Sequence, residues 1–327
     1  MRALVTGGAG FVGRHLSERL ILDGWDVVCV DPIVAGTGAI HPSQSSGAYL
    51  KSANFKFIEL DCREFFNQNK ANDKFDVIFH LAAVVGGRLL IEEQPLIVAQ
   101  DLSIDAEMWS WAKNHITKRV CYFSSSAAYP LDLQGVNGHR ILEEPDIDWK
   151  SNRLGVPDLS YGWAKLTGEF LAGLALEKHN LESVIYRPFS GYGTDQDHTY
   201  PFRAIIERGL VHQSSADFVV WGSGMQSRDF IHIDDCVERI VRTLFVAQPG
   251  EALNLSTGIA TTFIELAKIV LTALDMESVT VKALTDKPEG VFYRVGDTFR
   301  QKTYLGKLEH ISLEAGVLRA IETLQKV

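Results

Sequence analysis

Short apolar runs alternate with segments of helical length through the first half of the chain. Each run is about four residues long, as expected of a buried strand, and segment 95–115 has the length and periodicity of a long helix. Stretches 35–52 and 130–160 are rich in turn residues and are predicted loops. Repeated strand–helix units predict an α/β fold with a doubly wound parallel sheet, whose ligands bind at the carboxyl ends of the strands. The predicted strands are 3–5, 27–30, 55–58, 77–80, 120–123 and 183–186.

The pattern changes after residue 187, where strand and helix signals become mixed. A chain of 327 residues exceeds the usual size of one domain. We therefore expect a first domain over 1–187, completed by about 229–257, and a smaller C-terminal lobe over 188–228 and 258–327. The elements predicted beyond residue 187 are strands 218–221, 229–231 and 252–255 and helices 234–246 and 263–274.

A glycine-rich turn, TGGAGFVG over Thr6–Gly13, follows the first predicted strand. Glycines there let the backbone approach a pyrophosphate, whose charge faces the positive end of the helix that begins near Gly10. Asp31 ends the second strand, about 20 residues further on, where a carboxylate binds ribose hydroxyls and repels a 2′-phosphate. This order predicts a Rossmann domain that prefers NAD to NADP, the alternative being that Asp31 only ends a strand. The turn residues assigned to the cofactor are Gly7, Gly10, Phe11, Val12 and Gly13.

Composition narrows the class of protein. Hydrophobic residues make up 46% of the chain, charged residues 22%, and the net charge is -9, which argues against nucleic-acid binding. The chain enters a strand directly after Met1 and Arg2, and no apolar run is long enough to span a membrane, so we expect a cytoplasmic protein without membrane partners. Scattered cysteines predict buried free thiols and no metal site. They are Cys29, Cys62, Cys121 and Cys236.

Tyr161 and Lys165 lie four residues apart on a predicted helix, so both project from one face. A lysine ammonium beside a phenol favours the phenolate and is expected to lower the pKa of the tyrosine, which suits proton transfer. Ser125 follows a predicted strand and could hydrogen-bond the same substrate oxygen. The alternative is an aromatic core residue beside a solvated lysine. We assign Ser125, Tyr161 and Lys165 as catalytic.

Together these motifs resemble the extended short-chain dehydrogenase/reductases of the NAD-dependent nucleotide-sugar epimerase and dehydratase family, over nearly the whole chain. The resemblance implies tightly held NAD, a Ser/Tyr/Lys catalytic group and a nucleotide-diphosphate sugar bound by the C-terminal lobe. It also implies a homodimer paired through helices 95–115 and 161–179. The motifs that carry it are Thr6–Gly13, Asp31, Asp61, His80–Ala83, Phe123–Ser126, Tyr161–Lys165, Arg187–Gly193 and Trp221–Phe230.

The resemblance also implies roles for single residues. Asp61 would contact adenine, Tyr161 and Lys165 would touch the nicotinamide ribose, and Arg228 and Arg294 would hold the diphosphate, for which guanidinium groups are suited. Leu81, Ala82 and Ala83 would line the cofactor groove. The other residues assigned to the substrate are Gly87, Ser125, Ser126, Ser190, His198 and Gln226.

Several positions depart from the branches that the chain most resembles, the GDP-mannose 3,5-epimerases and GDP-fucose synthases. Ala127 stands where those enzymes carry an acid/base cysteine, and His198 lies close to their partner histidine. Ser190 and Thr194 replace the usual asparagine and proline, and Ala127 and Ala128 replace the Asp-Glu pair of the dehydratases. We therefore expect epimerisation at C4 through a transient 4-keto sugar. The alternatives are a 4-dehydrogenase or 4-keto reductase, a 3,5-epimerase, and a catalytically silent NAD-sensing scaffold.

Overall fold

The computed structural model describes residues 1–34, 37–44, 52–68, 73–151, 154–213, 215–287 and 289–326. Much of the predicted loop 35–52 lies outside these residues, as do two residues of loop 130–160. The strands are β1 (Arg2–Thr6), β2 (Asp26–Asp31), β3 (Phe55–Glu59), β4 (Phe75–His80), β5 (Ile116–Phe123), β6 (Ser183–Pro188), β7 (Ser190–Tyr192), β8 (Phe218–Trp221), β9 (Ser227–Arg228), β10 (Phe230–His232), β11 (Glu251–Leu255), β12 (Thr261–Thr262), β13 (Val281–Leu284) and β14 (Tyr293–Arg294).

Helices follow most strands of the first half, as the alternation predicted. The helices are α1 (Phe11–Leu22), α2 (Cys62–Gln68), α3 (Arg88–Glu93), α4 (Pro95–Val98), α5 (Asp101–His115), α6 (Leu159–His179), α7 (Pro201–Leu210), α8 (Ile233–Thr243), α9 (Phe263–Ala273), α10 (Phe299–Leu305) and α11 (Leu313–Leu324).

Seven strands form the main sheet, in the order β11-β6-β5-β4-β1-β2-β3. All neighbouring pairs from β6 to β3 are parallel, and β1 lies between β2 and β4, where the strand order reverses. Ligands of open parallel sheets bind at such a switch point. The buried strands are nearly continuous runs of apolar residues, as expected when helices cover both faces. The predicted doubly wound sheet is confirmed.

One predicted helix is wrong in its bounds. Segment 95–115 is two helices, α4 and α5, separated by a turn at Ala99 and Gln100. The second helix begins at Asp101, whose side chain is fully buried and accepts a hydrogen bond from the Val84 N–H at 2.6 Å. The hydrogen bond of this buried carboxylate holds the first turn of α5 in place. Apolar periodicity does not reveal such a contact, so it does not predict where α5 begins.

The chain divides into two compact units. Unit 1 comprises 1–128, 157–187 and 237–253, and unit 2 comprises 129–156, 188–236 and 254–327. We expected segment 129–156 in the first domain. It belongs to unit 2 because it bonds to the segment near β14: the Leu142 N–H donates to the Val295 carbonyl at 2.8 Å, and the Tyr293 N–H donates to the Gln134 carbonyl at 3.0 Å. Residues 229–236 and 254–257 also belong to unit 2 rather than to the first domain.

Unit 2 contains small sheets and the helices α7, α9, α10 and α11. Strand β9 pairs with β12 and β14, β8 pairs with β13, and β7 pairs with β10. Helices α7, α9 and α11 pack around a core that includes Phe202, Ile206, Leu266, Val270 and Val317.

No helix among the described residues combines the length and apolar character needed to cross a membrane. All four cysteines are buried and free, as predicted.

Candidate active site

The glycine turn between β1 and α1 requires glycine at two positions. Gly7 has φ of +70°, and a Cβ atom there would lie 2.7 Å from the backbone nitrogen of Ala82. A Cβ atom on Gly13 would lie 2.3 Å from the Gly7 carbonyl oxygen. Gly10 precedes α1, which Phe11 and Val12 begin. The turn therefore packs against the end of β4, and a side chain at Gly7 or Gly13 would collide with backbone atoms. The backbone at these two positions is not covered by a side chain of its own.

Asp31 is the last residue of β2, and its side chain contacts the glycine turn. Its carboxylate accepts hydrogen bonds from the Ala9 N–H at 3.1 Å and the Ile33 N–H at 2.9 Å. Burial raises the pKa of Asp31, although these N–H donors lower it. Beyond β4, the Leu81 N–H donates to the Thr6 carbonyl at 3.0 Å. The glycine turn, Asp31 and segment 81–83 thus meet at the carboxyl ends of β1, β2 and β4.

Asp61 directly precedes α2, and its carboxylate is already paired. Arg63 binds it through Nη2 at 2.7 Å and Nε at 3.1 Å, and this guanidinium holds the pKa of Asp61 below its ordinary value. Arg63 also donates to Ser103 Oγ at 2.9 Å. The contact of Asp61 with adenine stays a prediction.

The three predicted catalytic residues are brought together in unit 1. Tyr161 and Lys165 lie in the first turns of α6, and the Ser125 side chain is close enough to that of Tyr161 to lower its pKa. Lys165 is buried, and its Nζ lies 5.8 Å from the Tyr161 ring centroid and 5.5 Å from that of Tyr122. Lys165 Nζ has no hydrogen-bond partner among the described residues. A buried ammonium with free N–H groups is poised to bind a ligand oxygen.

The expected direction of the Tyr161 pKa shift is wrong. Burial raises the pKa of Tyr161, and this effect exceeds the lowering by Lys165 and by Ser125. The nearby carboxylates of Asp101 and Asp105 raise the pKa further. The sequence spacing revealed the ammonium but not the buried carboxylates around it.

A buried ion pair that was not predicted holds the catalytic helix. Glu169 lies one turn beyond Lys165 and binds Arg187, with Nε–Oε1 at 2.9 Å and Nη2–Oε2 at 2.7 Å. Ser124 Oγ donates to the same carboxylate at 2.5 Å. Glu169 and Arg187 are almost fully buried. The only sequence signal for this pair is a glutamate four residues after Lys165 on a predicted helix.

The turn after β5 brings the serines against α6. Ser126 is buried in the turn Ser126–Ala128, and a Cβ atom on Gly162 would lie 2.4 Å from the Ala127 carbonyl oxygen. Gly162 therefore permits the close approach of α6. Gly87, also in unit 1, directly precedes α3.

Unit 2 places the two predicted diphosphate-binding arginines side by side. Arg228 on β9 and Arg294 on β14 are register partners in a parallel pair, so their side chains leave the same face. Arg228 donates to the Val291 carbonyl at 2.8 Å, and its guanidinium lies 5.4 Å from the Phe263 ring centroid. Arg294 Nε donates to Gln134 Oε1 at 2.6 Å.

The other substrate residues predicted in unit 2 differ in availability. Gln226 is buried, and its amide donates to the Trp221 carbonyl at 2.8 Å, so it braces the loop that leads to β9. The His198 side chain is 73% exposed. Ser190 lies on β7, where its N–H donates to the Asp229 carbonyl at 2.9 Å.

Comparisons with known proteins identify the family and the fold of this chain. Residues 3–256 match the family model described as NAD dependent epimerase/dehydratase. The chain is 26% identical to the UDP-glucose 4-epimerase of Mycolicibacterium smegmatis over 98% of both chains. It is 28% identical to GDP-mannose 3,5-epimerase 1 of Oryza sativa over 97% of this chain and 80% of that protein. The structure of the UDP-glucuronic acid 4-epimerase from Bacillus cereus, in complex with UDP-glucuronic acid and NAD, shares the fold, with a TM-score of 0.80, 23% identity and coverage of 100% and 99%.

Proposed function

Because this chain belongs to the NAD dependent epimerase/dehydratase family, we propose that it is a nucleotide-sugar epimerase that inverts C4 through a transient 4-keto sugar. The observation that carries the proposal is the buried group of Ser125, Tyr161 and Lys165, which can move the proton of a sugar hydroxyl. Relatives that are UDP-sugar 4-epimerases support the choice of position.

The residues at the carboxyl ends of β1, β2 and β4 fit NAD, the cofactor of the family. Gly7 and Gly13 let the turn pack tightly against the end of β4 and on itself and add no side chain to it, and Lys165 Nζ is buried with no hydrogen-bond partner among the described residues. Hydroxyls of a ribose would satisfy such an ammonium. Asp31 would bind the adenosine ribose and repel the 2′-phosphate of NADP. When bound, NAD accepts a hydride from the sugar carbon and returns it to the opposite face.

The side chains divide the proton chemistry among them. Tyr161, as phenolate, would take the proton of the 4-hydroxyl and give it back when the carbon is reduced. Ser125 would hydrogen-bond the same oxygen. Lys165 and Ser125 both lower the pKa of Tyr161, so together they offset part of the cost that burial imposes on the phenolate.

We assign the nucleotide diphosphate to Arg228 and Arg294. Two guanidinium groups on one face of a small sheet can bind several phosphate oxygens at once, and an acidic chain needs such local positive charge. Gly87, Ser126 and Ser190 stay assigned to the sugar. The structure gives no comparable support for Gln226 or His198, since the first is bonded inside its loop and the second is exposed.

Two features favour C4 over C3 and C5. A 3,5-epimerase needs an acid/base group at carbon-bound protons, and the buried Ala127 offers only a methyl group where related enzymes carry a cysteine. The second feature concerns His198. Its side chain is 73% exposed, so packing does not hold it in a fixed position as an acid/base group would require.

We also propose a homodimer in the cytoplasm. Large apolar side chains are exposed along α4, α5 and α6 of unit 1, among them Leu96 at 86%, Trp163 at 48% and Phe170 at 46%. Exposed apolar side chains of this kind support a protein interface. In the proposed homodimer, α5 and α6 of one subunit pack against α5 and α6 of the other. Four free, buried cysteines suit a reducing compartment.

Turnover in heavy water tests the position of epimerisation. A panel of sugar nucleotides is incubated without added cofactor, and the product is analysed for configuration and carbon-bound deuterium. We expect a C4 epimer without deuterium, because the hydrogen stays on the bound NAD; the variant Tyr161→Phe serves as the inactive control. Deuterium at C3 or C5 would favour 3,5-epimerisation. Product that forms only with an added oxidant or reductant would favour a dehydrogenase or reductase.

A further inference from the structure

Two buried carboxylates lie in the same part of unit 1 as Lys165. Asp101 and Asp105 are one turn apart on α5, so they lie on the same face of the helix, and both are almost fully buried. Asp105 lies against α6, since a Cβ atom on Gly168 would lie 2.8 Å from its Oδ2, and the charges of both carboxylates raise the pKa of Lys165. Buried acidic side chains are costly unless they are paired, so their presence next to the catalytic group requires an explanation.

Asp105 is fully satisfied. It accepts hydrogen bonds from the Tyr122 hydroxyl at 2.5 Å and from His80 Nε2 at 3.2 Å, and His80 is fixed in turn by Thr6 Oγ1 at 2.7 Å from Nδ1. Burial alone would raise the pKa of Asp105, but Lys165, His80 and Tyr122 hold it below its ordinary value. Asp105 is therefore a permanent negative charge.

Asp101 is only half satisfied. One carboxylate oxygen accepts the Val84 N–H at 2.6 Å, whereas Oδ2 is buried and has no hydrogen-bond partner among the described residues. Burial raises the pKa of Asp101 to about 6, in spite of the opposing effects of Lys165 and the Val84 N–H. Asp101 can therefore be neutral or charged within the range in which enzymes work.

The charge on Asp101 changes the balance around Tyr161. Burial lowers the pKa of His80, which favours the neutral imidazole, and Lys165 is the positive charge that acts on both Asp101 and Asp105. With Asp101 protonated, Lys165 and Asp105 balance each other. With Asp101 charged, one negative charge is in excess, which disfavours the Tyr161 phenolate. The titratable groups facing the two carboxylates are Lys165 and Tyr161 from α6, Tyr122 from β5, His80 from β4 and Cys62 from α2.

We propose that Asp101 and Asp105 are positioning residues for the proton transfer: Asp105 is a fixed negative charge that acts on Lys165 through space, and Asp101 exchanges a proton and thereby adjusts how readily Tyr161 ionises. Neither carboxylate needs to touch the substrate. The inference rests on the proposed role of Tyr161, but its main test requires no substrate.

The variant Asp101→Asn removes the charge and keeps an oxygen for the Val84 N–H. Tyrosinate formation is followed by ultraviolet difference absorbance during a pH titration, and the signal of Tyr161 is isolated by subtracting the titration of Tyr161→Phe in each background. We expect the Tyr161 transition to move to lower pH by about 1 unit, the size of effect that one nearby charge exerts. The variant Asp101→Glu, which restores the charge, should return the transition towards its original position.

Turnover supplies a second readout. The pH at which kcat rises should move in the same direction in Asp101→Asn, with KM for the sugar nucleotide unchanged within about twofold. Asp105→Asn also removes a negative charge that acts on Tyr161, so it should move the Tyr161 transition to lower pH as well. A Tyr161 transition that stays in place in folded Asp101→Asn, or moves to higher pH, would overturn the proposal. The proposed epimerase activity would be unaffected by that result.

Discussion

Gly7→Ala is the sharpest test of the nucleotide-binding turn. The new Cβ atom would lie 2.7 Å from the Ala82 nitrogen and 2.7 Å from the Leu81 carbonyl carbon, and both of these are backbone atoms. Backbone cannot move aside as a flexible side chain does. Alanine at φ of +70° is strained in addition.

The two costs can be separated by a matched variant. Gly24 has φ of +79°, but a Cβ atom there would meet nothing within 4 Å. Gly24→Ala should therefore measure the backbone strain alone, about 1–2 kcal/mol. Gly7→Ala should add the collision with the end of β4, which at the usual cost of overpacking brings the total to about 2–5 kcal/mol.

Urea unfolding of both variants, with the NAD content of the purified proteins measured by mass spectrometry, checks this reasoning. We expect Gly24→Ala to retain NAD and Gly7→Ala to lose most of it, because the segment at Leu81 and Ala82 must move to admit the methyl group. If Gly7→Ala were as stable as Gly24→Ala and kept its NAD, the packing argument would be wrong.

Four further substitutions test the catalytic helix and unit 2. Tyr161→Phe should lower kcat about 10²–10⁴-fold, the usual contribution of a general acid/base, with sugar-nucleotide binding within a few-fold of wild type; a variant with half the wild-type rate would exclude Tyr161 as the base. Arg228→Ala or Arg294→Ala should weaken nucleoside-diphosphate binding by about 1.5–3 kcal/mol, measured by calorimetry, and undiminished binding in both would place the diphosphate elsewhere. Glu169→Gln should destabilise the protein by about 3–5 kcal/mol in urea, because the buried Arg187 guanidinium loses the carboxylate charge of Glu169, and a loss below about 1 kcal/mol would contradict this.

Features that depend on local pattern could be predicted from the sequence. The strands of the main sheet are apolar runs because both faces are covered, and the turn at Gly7 needs glycine whatever lies further along the chain. The spacing of Tyr161 and Lys165 fixes their common helix face in the same way. These properties arise within a few residues, so a linear pattern reveals them.

Features that depend on distant contacts could not be predicted. Segment 129–156 looked like a loop of the first domain because its bonds to Tyr293 and Val295 join residues far apart in sequence. The spacing predicts a lower pKa for Tyr161 because Lys165 is the charged residue that lies one helical turn away. Burial of Tyr161 and the charges of Asp101 and Asp105 on α5, which packs on α6, raise the pKa instead. The sign of a pKa shift is a sum over neighbours, and the sequence identifies only the local ones.

The face of α6 explains why chemistry and stability are linked in unit 1. Tyr161, Lys165 and Glu169 follow one another at intervals of four residues, so they form one row along the helix. The last of them binds Arg187 at the end of β6 and Ser124 beyond β5, which fixes the rotation of α6 relative to the strand that leads to Ser125. Because the approach of Ser125 to Tyr161 depends on that rotation, Glu169→Gln should reduce kcat as well as stability, although Glu169 has no role in proton transfer. Unchanged kcat in the folded variant would show that the ion pair supports the fold alone.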